Sequence, residues 1–535
     1  MKNKEDSSFT YWILLFCIII CTACIRMRLL STPFERDEGE YAYIGQLLLQ
    51  GIPPYQDAFT MKLPGTSMIY ALFMLLFGQT TTAIHLGLLL VNVVSIVLIF
   101  LLTKKWLSPG ASLVAAVSFA VTALNFDLFG FAAHATHFVM LFALGGLFAL
   151  MHALERKRPY VFFISGILFG LAFLMKQPGI CFFFLGLSIL LLTRWRGRLV
   201  QREFFRFSLF LAGGFILPCL AVLSIILVSG TFDKFWFWTI QYTFQYGTAV
   251  SFYESAVNLI NNLDTIWKAL PLFCILTATG FMFVVLRKVH TPSTAFLLLF
   301  GAFSFLALVP GGNFRLHYFI LILPVCSALS GFGFQVIQTT IRGRAGWKYL
   351  PAVIFMVIVV QNIYANRIYY FTETPRDIVE RCYRENHFAE SIPIANFLAA
   401  HTTPDDRIAI LGSEPQIYFY AKRRSASSHI YMYGMMEEQP YARRMQEEFI
   451  ADVEHTHPKY IIYYRVYYSW LPQKNSDLHL LQWRKGYLNT HCHLTGVVDL
   501  VNVYDVRYIW GTDAATYTPV SQYAIFIYER TDNKQ

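Results

Sequence analysis

The sequence predicts a polytopic α-helical membrane protein with a folded α/β domain after the last membrane span. The first reason is composition: 56% of the 535 residues are hydrophobic, only 14% are charged, and the mean hydropathy is +0.46. Soluble domains contain fewer apolar and more charged residues. The second reason is pattern, because apolar stretches of about 17 to 25 residues, the length that crosses a bilayer core, recur as far as residue 368.

Eleven apolar stretches are predicted to span the membrane, at residues 10–30, 82–103, 110–129, 134–154, 159–175, 178–193, 207–229, 269–286, 294–310, 317–339 and 349–368. The loops after the even-numbered spans carry basic clusters: Lys104 and Lys105; Arg156, Lys157 and Arg158; Arg194, Arg196, Arg198 and Arg202; Arg287 and Lys288; Arg342, Arg344 and Lys348. Cytoplasmic loops carry such an excess of basic residues. We therefore expect the N-terminus, with Lys2 and Lys4, inside the cell and everything after residue 370 on the outer face of the cytoplasmic membrane.

The net charge of +10 could indicate a nucleic-acid partner. The basic residues, however, recur as short clusters between apolar stretches, where they act as orientation signals. The sequence contains no Walker A loop, no dinucleotide-binding glycine motif after a strand and no H-E-x-x-H zinc motif. We therefore expect membrane lipids and no nucleic acid among the partners, and a group donor that already lies in the membrane.

Two domains are predicted, a membrane domain over residues 1–370 and an extracytoplasmic domain over residues 371–535. In the second domain we expect strands over 407–411 and 460–464, and helices over 394–400, 416–420 and 441–454, the middle one capped by Ser413. Helices that alternate with short apolar strands indicate an α/β domain. Cys382 and Cys492 could form a disulfide in an oxidising compartment.

A long outer loop, residues 230–268, joins the seventh and eighth predicted spans and is rich in aromatic residues: Phe235, Trp236, Phe237, Trp238, Tyr242, Tyr246 and Tyr253. One interpretation is an interfacial helix held at the membrane surface by its aromatic side chains. The other is a lid over a lipid or a sugar, because aromatic rings can stack on sugar faces and pack against acyl chains. The sequence is compatible with both interpretations.

The segment from Phe34 to Tyr43, directly after the first span, contains four carboxylates and an arginine. Charge beside a membrane is costly unless it faces a polar cavity or lipid headgroups, so such acids indicate a functional site. Asp37 is the first candidate for a catalytic base and Glu38 the second. The alternative for both is a solvated helix start, where acids complement the helix dipole. We expect Glu40 on a solvated face.

Further polar residues lie at the outer ends of the predicted spans, at the depth of Asp37: Lys62, Asp127, His134, His137, Lys176, Arg315, His317 and Tyr318. Carboxylates there can abstract a proton, and cations can stabilise an anionic leaving group. Lys62 and Lys176 could instead be interfacial anchors, and Arg315 could contact headgroups. His134 and His137, three apart on a helix, could help to hold a metal, but no third ligand is closely spaced, so no metal site is assigned.

Four short motifs follow one another along the membrane domain: Asp37-Glu38 with Tyr41-Ala42, then Lys62-Leu63-Pro64-Gly65, then residues 170–178 ending in Lys176-Gln177-Pro178, then residues 315–324 beginning with Arg315-Leu316-His317-Tyr318. In this order they resemble the GT-C glycosyltransferases of family 39, which include protein O-mannosyltransferases and the bacterial aminoarabinose transferases. The resemblance covers residues 10 to about 370. It implies a polyprenyl-phosphate sugar as the donor.

The resemblance also implies roles for individual residues. The catalytic aspartate of the first outer loop corresponds to Asp37, and the residues that contact the donor phosphate correspond to Lys62, Lys176 and Arg315, with His317 beside them. Candidates for contacts with acceptor or substrate are Tyr41, Asp127, His134, His137 and Tyr318. Aminoarabinose transferases have Glu-Lys-Pro-Pro where this chain has Met61-Lys62-Leu63-Pro64, so the metal-binding role suggested for that glutamate has no counterpart.

The sequence therefore predicts an integral membrane glycosyltransferase that moves a sugar, with inversion, from a polyprenyl-phosphate carrier to a glycolipid, polysaccharide or protein. The alternative is a lipid-linked glycan transporter or flippase, whose outer charges would bind phosphate without chemistry. A transporter would need polar residues through the bilayer midplane, and predicted spans 2, 6 and 9 contain almost none. A polymerase or ligase of surface polysaccharide would share the substrates but would not normally carry such an outer domain.

Overall fold

The computed structural model describes residues 2–248, 250–286, 292–341, 347 and 349–531, with the backbone alone for 2–8 and 292. The predicted loop cations Arg287, Lys288, Arg342, Arg344 and Lys348 lie outside the described residues, as do the side chains of Lys2 and Lys4. The orientation that these residues predict therefore stays a prediction.

The membrane domain consists of α-helices that coincide closely with the apolar stretches of the sequence. Its longer helices are Lys2–Arg28, Arg36–Leu49, Gly65–Phe77, Thr81–Thr103, Pro109–Thr122, Ala135–Arg156, Pro159–Met175, Ile180–Trp195, Gln201–Val228, Phe252–Ala269, Pro271–Leu286, Pro292–Leu306, Leu323–Ile341 and Leu350–Ala365. Short helical turns lie at Gln177–Gly179, Phe232–Trp236, Phe237–Tyr242, Thr243–Gly247, Leu316–Leu321 and Arg367–Phe371. Each of the eleven predicted stretches overlaps one of the longer helices.

Five helices in the described part of the chain are long and apolar enough to cross a membrane: Phe9–Arg28, Thr81–Thr103, Ala135–Arg156, Gln177–Trp195 and Gln201–Val228. The pair Phe252–Ala269 and Pro271–Leu286 passes the same test together but is bent by 109°. Five more apolar helices are shorter: Gly65–Phe77, Pro109–Thr122, Pro159–Met175, Ser293–Leu306 and Leu350–Ala365. The predicted total of eleven spans stays a prediction.

The C-terminal domain, which the sequence predicts to be extracytoplasmic and which is called the extracytoplasmic domain below for that reason, contains one mixed six-stranded sheet. Its strands are β1 (Arg407–Leu411), β2 (Arg424–Ser425), β3 (Tyr460–Arg465), β4 (Cys492–Leu500), β5 (Val506–Trp510) and β6 (Ala524–Arg530), in the order β2-β1-β3-β6-β4-β5. Strand β1 is parallel to β2 and β3, and β6 is antiparallel to β3 and β4. The predicted strands 407–411 and 460–464 are therefore present as neighbours, with Ile408 opposite Tyr460.

Helices of this domain surround the sheet and include the three that the sequence predicted. They are Pro375–Tyr383, Arg384–Asn386, Phe388–Glu390, Ser391–His401, Gln416–Ala421, Tyr433–Met436, Ala442–Thr456, Tyr467–Trp470, His479–His491 and Thr512–Thr516. The predicted cap of the second helix is wrong, because Pro415 occupies the N-cap position and the Ser413 hydroxyl accepts a hydrogen bond from Met432 N at 3.0 Å. The structure contains no disulfide between Cys382 and Cys492.

The two domains pack directly against each other through the helix Arg36–Leu49, called the site helix below. Gly39 touches the backbone of Gln416, where a Cβ atom would lie 2.6 Å from the amide nitrogen. The Tyr43 hydroxyl accepts a hydrogen bond from Ser425 N at 2.8 Å, and its ring lies 5.0 Å from that of Tyr418. A continuous hydrophobic core therefore runs from the membrane helices into the outer domain.

Candidate active site

The site helix begins where the acidic segment of the sequence begins. Glu35 is its N-cap, and the Glu35 side chain accepts a hydrogen bond from Glu38 N at 2.9 Å. Asp37 and Glu38 lie in the first turn, where negative charge complements the helix dipole. This is the helix start that the sequence offered as the structural alternative, but its acids are buried or half-buried rather than solvated.

Lys62 joins two of these acids. Its Nζ donates to Asp37 Oδ1 at 2.8 Å and to Glu40 Oε2 at 2.6 Å, and it lies 4.4 Å from the centre of the Tyr41 ring. The side chains of Asp37 and Lys62 are 25% and 24% exposed, whereas that of Glu40 is only 4% exposed. The expectation that Glu40 lies on a solvated face is wrong, because the Lys62 ammonium compensates its buried charge.

The charge of Asp37 is stabilised by its surroundings. Burial works to raise the pKa of this carboxyl, but the nearby cations, above all Lys62, outweigh burial and hold the pKa well below its ordinary value. The same pairing has the opposite effect on the lysine: burial lowers the pKa of Lys62, and the two carboxylates raise it well above its ordinary value. Asp37 is therefore an anion and Lys62 a cation at neutral pH.

A cavity of about 900 Å³ opens beside Asp37. Parts of the membrane domain, the outer loop and the extracytoplasmic domain all line it. Of the residues that the sequence singled out, the cavity brings together Asp37, Tyr41, Lys62, His134, Lys176, Arg315, His317 and Tyr318. Residues for which the sequence predicts a common depth thus line one cavity.

Two further cations face this cavity. Lys176 follows the last residue of the helix Pro159–Met175, and its Nζ lies 3.5 Å from the centre of the Tyr318 ring. Burial lowers the pKa of Lys176 to about 7, and the attraction of Asp37 works against that shift. Arg315 is exposed to the cavity and lies 3.5 Å from the Tyr246 hydroxyl. Together with Lys62 these side chains make the cavity suited to an anion.

Three predicted site residues do not line the cavity. Glu38 is buried and accepts hydrogen bonds on Oε1 from Ala133 N at 2.7 Å, with His85 Nε2 at 2.9 Å from the same oxygen. Asp127 and His137 also lie outside the lining. Glu38 therefore connects the site helix to the helix Thr81–Thr103, and its geometry does not favour a catalytic role.

Sequence reasoning missed the contribution of the extracytoplasmic domain. His429, Tyr431, Tyr433 and Glu437 line the cavity. Aromatic residues of the outer loop line it as well, namely Trp238, Tyr242, Phe244 and Tyr246. The rest of this loop forms the helix Phe252–Ala269, on which Phe252 is 92% and Trp267 51% exposed. One part of the loop thus lines the cavity and another part carries exposed aromatic residues, and both interpretations of the loop stay predictions.

The family predicted from the short motifs agrees with a comparison of the sequence. Residues 62–225 match the family model described as "Dolichyl-phosphate-mannose-protein mannosyltransferase". The resemblance to GT-C glycosyltransferases is confirmed. The matched region contains Lys62 and Lys176 and ends well before Arg315. No curated protein sequence matches the chain.

Solved structures share the fold across nearly the whole chain. One is the oligosaccharyltransferase AglB from Archaeoglobus fulgidus in complex with an inhibitory peptide and a dolichol-phosphate, with TM-score 0.55 and 12% identity over 96% of this chain and 75% of that chain. Another is ArnT from Cupriavidus metallidurans bound to undecaprenyl phosphate, with TM-score 0.54 and 13% identity over 97% of this chain and 98% of that chain. At these identities the similarity shows the GT-C fold.

A third similar structure, the A. fulgidus oligosaccharyltransferase in complex with Zn and sulfate, raises the question of a metal (TM-score 0.54, 13% identity, 92% of this chain and 72% of that chain). Asp37, His134 and His317 each offer one ligand atom within 4.8 Å of the others. The histidine that joins His134 in this group is His317, whose ring stacks on that of His134 with the ring centres 4.0 Å apart. Because Lys62 already pairs with Asp37, and Lys176 and Arg315 line the same cavity, the charge balance fits an anion better than a divalent cation.

Proposed function

We propose that this protein is a glycosyltransferase that moves a sugar from a polyprenyl-phosphate carrier to an acceptor hydroxyl. The observation that carries the proposal is the single cavity in which a carboxylate, Asp37, lies among three cations, Lys62, Lys176 and Arg315. A group transfer that releases a phosphate needs a proton acceptor on one side and positive charge on the other. The cavity offers both within reach of one small substrate.

In the proposed reaction, Asp37 takes the proton of the acceptor hydroxyl while that oxygen attacks the anomeric carbon of the sugar. The bond from the anomeric carbon to the phosphate oxygen breaks, and the polyprenyl phosphate leaves with the electron pair. Lys62, Lys176 and Arg315 hold the phosphate, with His317 and Tyr318 beside them. A single displacement of this kind inverts the anomeric centre.

Through Lys62, donor binding is expected to change the pKa of Asp37. In the free protein the ammonium is shared by Asp37 and Glu40. A phosphate in the cavity would compete for this ammonium, and each contact that Asp37 loses to the phosphate would raise the pKa of Asp37 toward its ordinary value. The carboxylate is therefore expected to become a better base once the donor is bound.

The class of donor is supported by the known relatives. The matched family is described by a dolichyl-phosphate mannose donor, and similar structures contain dolichol-phosphate or undecaprenyl phosphate. One of these structures also contains an inhibitory peptide. The acceptor of this chain is proposed to be a glycan, a glycolipid or a protein at the outer face of the cytoplasmic membrane, the face on which the basic loop clusters predict the cavity.

The experiment that tests the proposal replaces Asp37 by asparagine, which has nearly the same shape but cannot accept the proton. Purified protein in lipid is supplied with polyprenyl-phosphate sugars and envelope fractions as acceptors. Asp37→Asn should lower transfer about a hundredfold or more, while donor binding survives because Lys62, Lys176 and Arg315 remain. Near-normal transfer by the variant would disprove the role of Asp37, and movement of intact lipid-linked sugar without transfer would favour a transporter.

A further inference from the structure

One residue of the extracytoplasmic domain touches the proposed base directly. The Tyr431 hydroxyl donates a hydrogen bond to Asp37 Oδ1 at 3.3 Å. The same oxygen accepts from Lys62 Nζ at 2.8 Å. Among the described residues, no hydrogen bond engages Asp37 Oδ2. Because both donors occupy one oxygen, the other oxygen is left to accept the proton of an acceptor hydroxyl in the cavity that Asp37 lines.

The segment that carries Tyr431 is fixed to both domains. On one side, Ser428 O accepts from Phe59 N at 2.7 Å and the Ser428 hydroxyl donates to Gln56 O at 3.0 Å. On the other side, Met432 N donates to the Ser413 hydroxyl at 3.0 Å. The position of Tyr431 is therefore set by contacts other than its own hydrogen bond to Asp37.

A second aromatic residue of this segment fixes the start of the site helix. The Tyr433 ring lies 4.9 Å from the guanidinium carbon of Arg36, and the Tyr433 hydroxyl donates to Tyr468 O at 2.7 Å. Arg36 in turn pairs with the buried carboxylate of Glu414 at 3.0 Å. The residue that precedes Asp37 is thus held by the extracytoplasmic domain, as is Asp37 itself.

We propose that Tyr431 is a positioning residue, supplied by the extracytoplasmic domain, that orients Asp37 and strengthens its negative charge. The mechanistic part of this inference rests on the proposed function, while the contact itself does not. Burial and the nearby acids hold the pKa of Tyr431 well above its ordinary value, so its hydroxyl stays protonated and donates. Without the extracytoplasmic domain, the site would lack this donor.

The direction of the effect follows from the hydrogen bond. A donor to a carboxylate favours the charged form and lowers its pKa, so loss of the Tyr431 hydroxyl should raise the pKa of Asp37. Other ionisable groups also act on Asp37: Glu35, Glu40, Tyr41, Lys62, Tyr70, His134, Lys176, Tyr246, Arg315, His317, Tyr318, Tyr383 and Tyr433. A Tyr431→Phe substitution leaves all of them in place, which makes the shift specific to one hydroxyl.

The test measures the titration of Asp37 by infrared spectroscopy of protein in lipid nanodiscs, with Asp37→Asn subtracted to isolate its carboxyl band. It is made in a Lys62→Met background, because loss of the ammonium moves the midpoint to a higher, accessible pH. Adding Tyr431→Phe should raise the midpoint by about half to one pH unit. Tyr431→Met, a second variant without a hydroxyl, should shift it in the same direction.

The matched control is Tyr528→Phe, which removes a hydroxyl from strand β6 outside the cavity lining and should leave the midpoint unchanged. In the otherwise wild-type protein, Tyr431→Phe should lower kcat severalfold without changing the KM for the donor, because the loss of orientation of Asp37 outweighs the gain in its basicity. An unchanged midpoint in both Tyr431 variants would overturn the inference. A raised midpoint in a protein that transfers no sugar would support it and disprove the proposed function.

Discussion

The effect of removing the Lys62 ammonium can be worked out from its two contacts, with Asp37 and with Glu40. Lys62→Met keeps the length and apolar stem of the side chain and deletes the charge that Asp37 Oδ1 and Glu40 Oε2 share at 2.8 and 2.6 Å. Hydrogen bonds to charged groups contribute about 1.5 to 3 kcal/mol each. The side chains of Lys62 and Asp37 are about a quarter exposed to the cavity, so the lower half of this range applies to that pair.

Two consequences follow for function. Loss of one charge-assisted contact to the donor phosphate, about 1.5 to 3 kcal/mol, should weaken donor binding about tenfold to a hundredfold. The pKa of Asp37, which Lys62 lowers most strongly, should rise. Protonation of the base would then begin at a higher pH, so the acid limb of the pH profile of transfer should move toward neutrality.

The effect on stability has a defined sign. A carboxyl whose pKa is depressed in the folded protein stabilises the fold above its unfolded pKa, and this contribution is lost as the pH falls through the folded value. Wild-type protein should thus lose the stabilisation from Asp37 only in strong acid. In Lys62→Met this contribution is absent and two acids face each other, so the melting temperature should fall at pH 7 and recover partly near pH 4.

Binding of radiolabelled undecaprenyl phosphate to protein in nanodiscs, transfer measured across pH, and thermal unfolding together check this prediction. Lys62→Arg keeps the charge and should lose less donor affinity. Lys268→Met is the matched control, because Lys268 forms an exposed pair with Asp264 four residues earlier, and such pairs contribute little. Wild-type donor affinity and an unchanged acid limb in Lys62→Met would refute the pairing and return Lys62 to an interfacial anchor.

Two further predictions concern Lys176 and orientation. Because burial lowers the pKa of Lys176 to about 7, donor affinity should decline above neutral pH as this lysine loses its proton. Lys176→Arg keeps the charge and should abolish the decline. Wild-type donor affinity of Lys176→Ala at pH 6 would contradict a contact between Lys176 and the donor. A reporter fused after Gln535 should be active only outside the cytoplasm and one fused at Lys288 only inside, and the reverse pattern would place the cavity on the wrong face.

The helices of the membrane domain could be predicted because their signal is local. Apolar stretches of sufficient length identify a helix without any knowledge of its neighbours, and the predicted stretch 159–175 has the bounds of the helix Pro159–Met175. Helices are missed where packing against other helices, and not length, stabilises them. The helix Gly65–Phe77 is not among the predicted spans, because its 13 residues are too few to cross a bilayer alone.

The sequence predicts the membrane depth of the site residues but not the contacts between them. The positions of Lys62, Lys176 and Arg315 at outer helix ends predict a common level, and all three residues line one cavity. The pairing of His134 with His317 joins positions far apart in the chain and could not be inferred from the spacing of His134 and His137. Tyr431 lies in the extracytoplasmic domain, and no local sequence pattern predicts its contact with Asp37.

Helix geometry explains why Asp37, Glu38 and Glu40 have different partners. Residues three apart lie on the same face of a helix, and a residue next in sequence is turned by about 100°. Asp37 and Glu40 therefore share one face and one partner, Lys62, while Glu38 points to His85. His85 was a signal that the sequence offered, because a histidine within an apolar span indicates a buried polar partner. Glu40 also lines the cavity and pairs with Lys62, but only 4% of its side chain is exposed, against 25% for Asp37, and this difference is why Asp37 is proposed as the base.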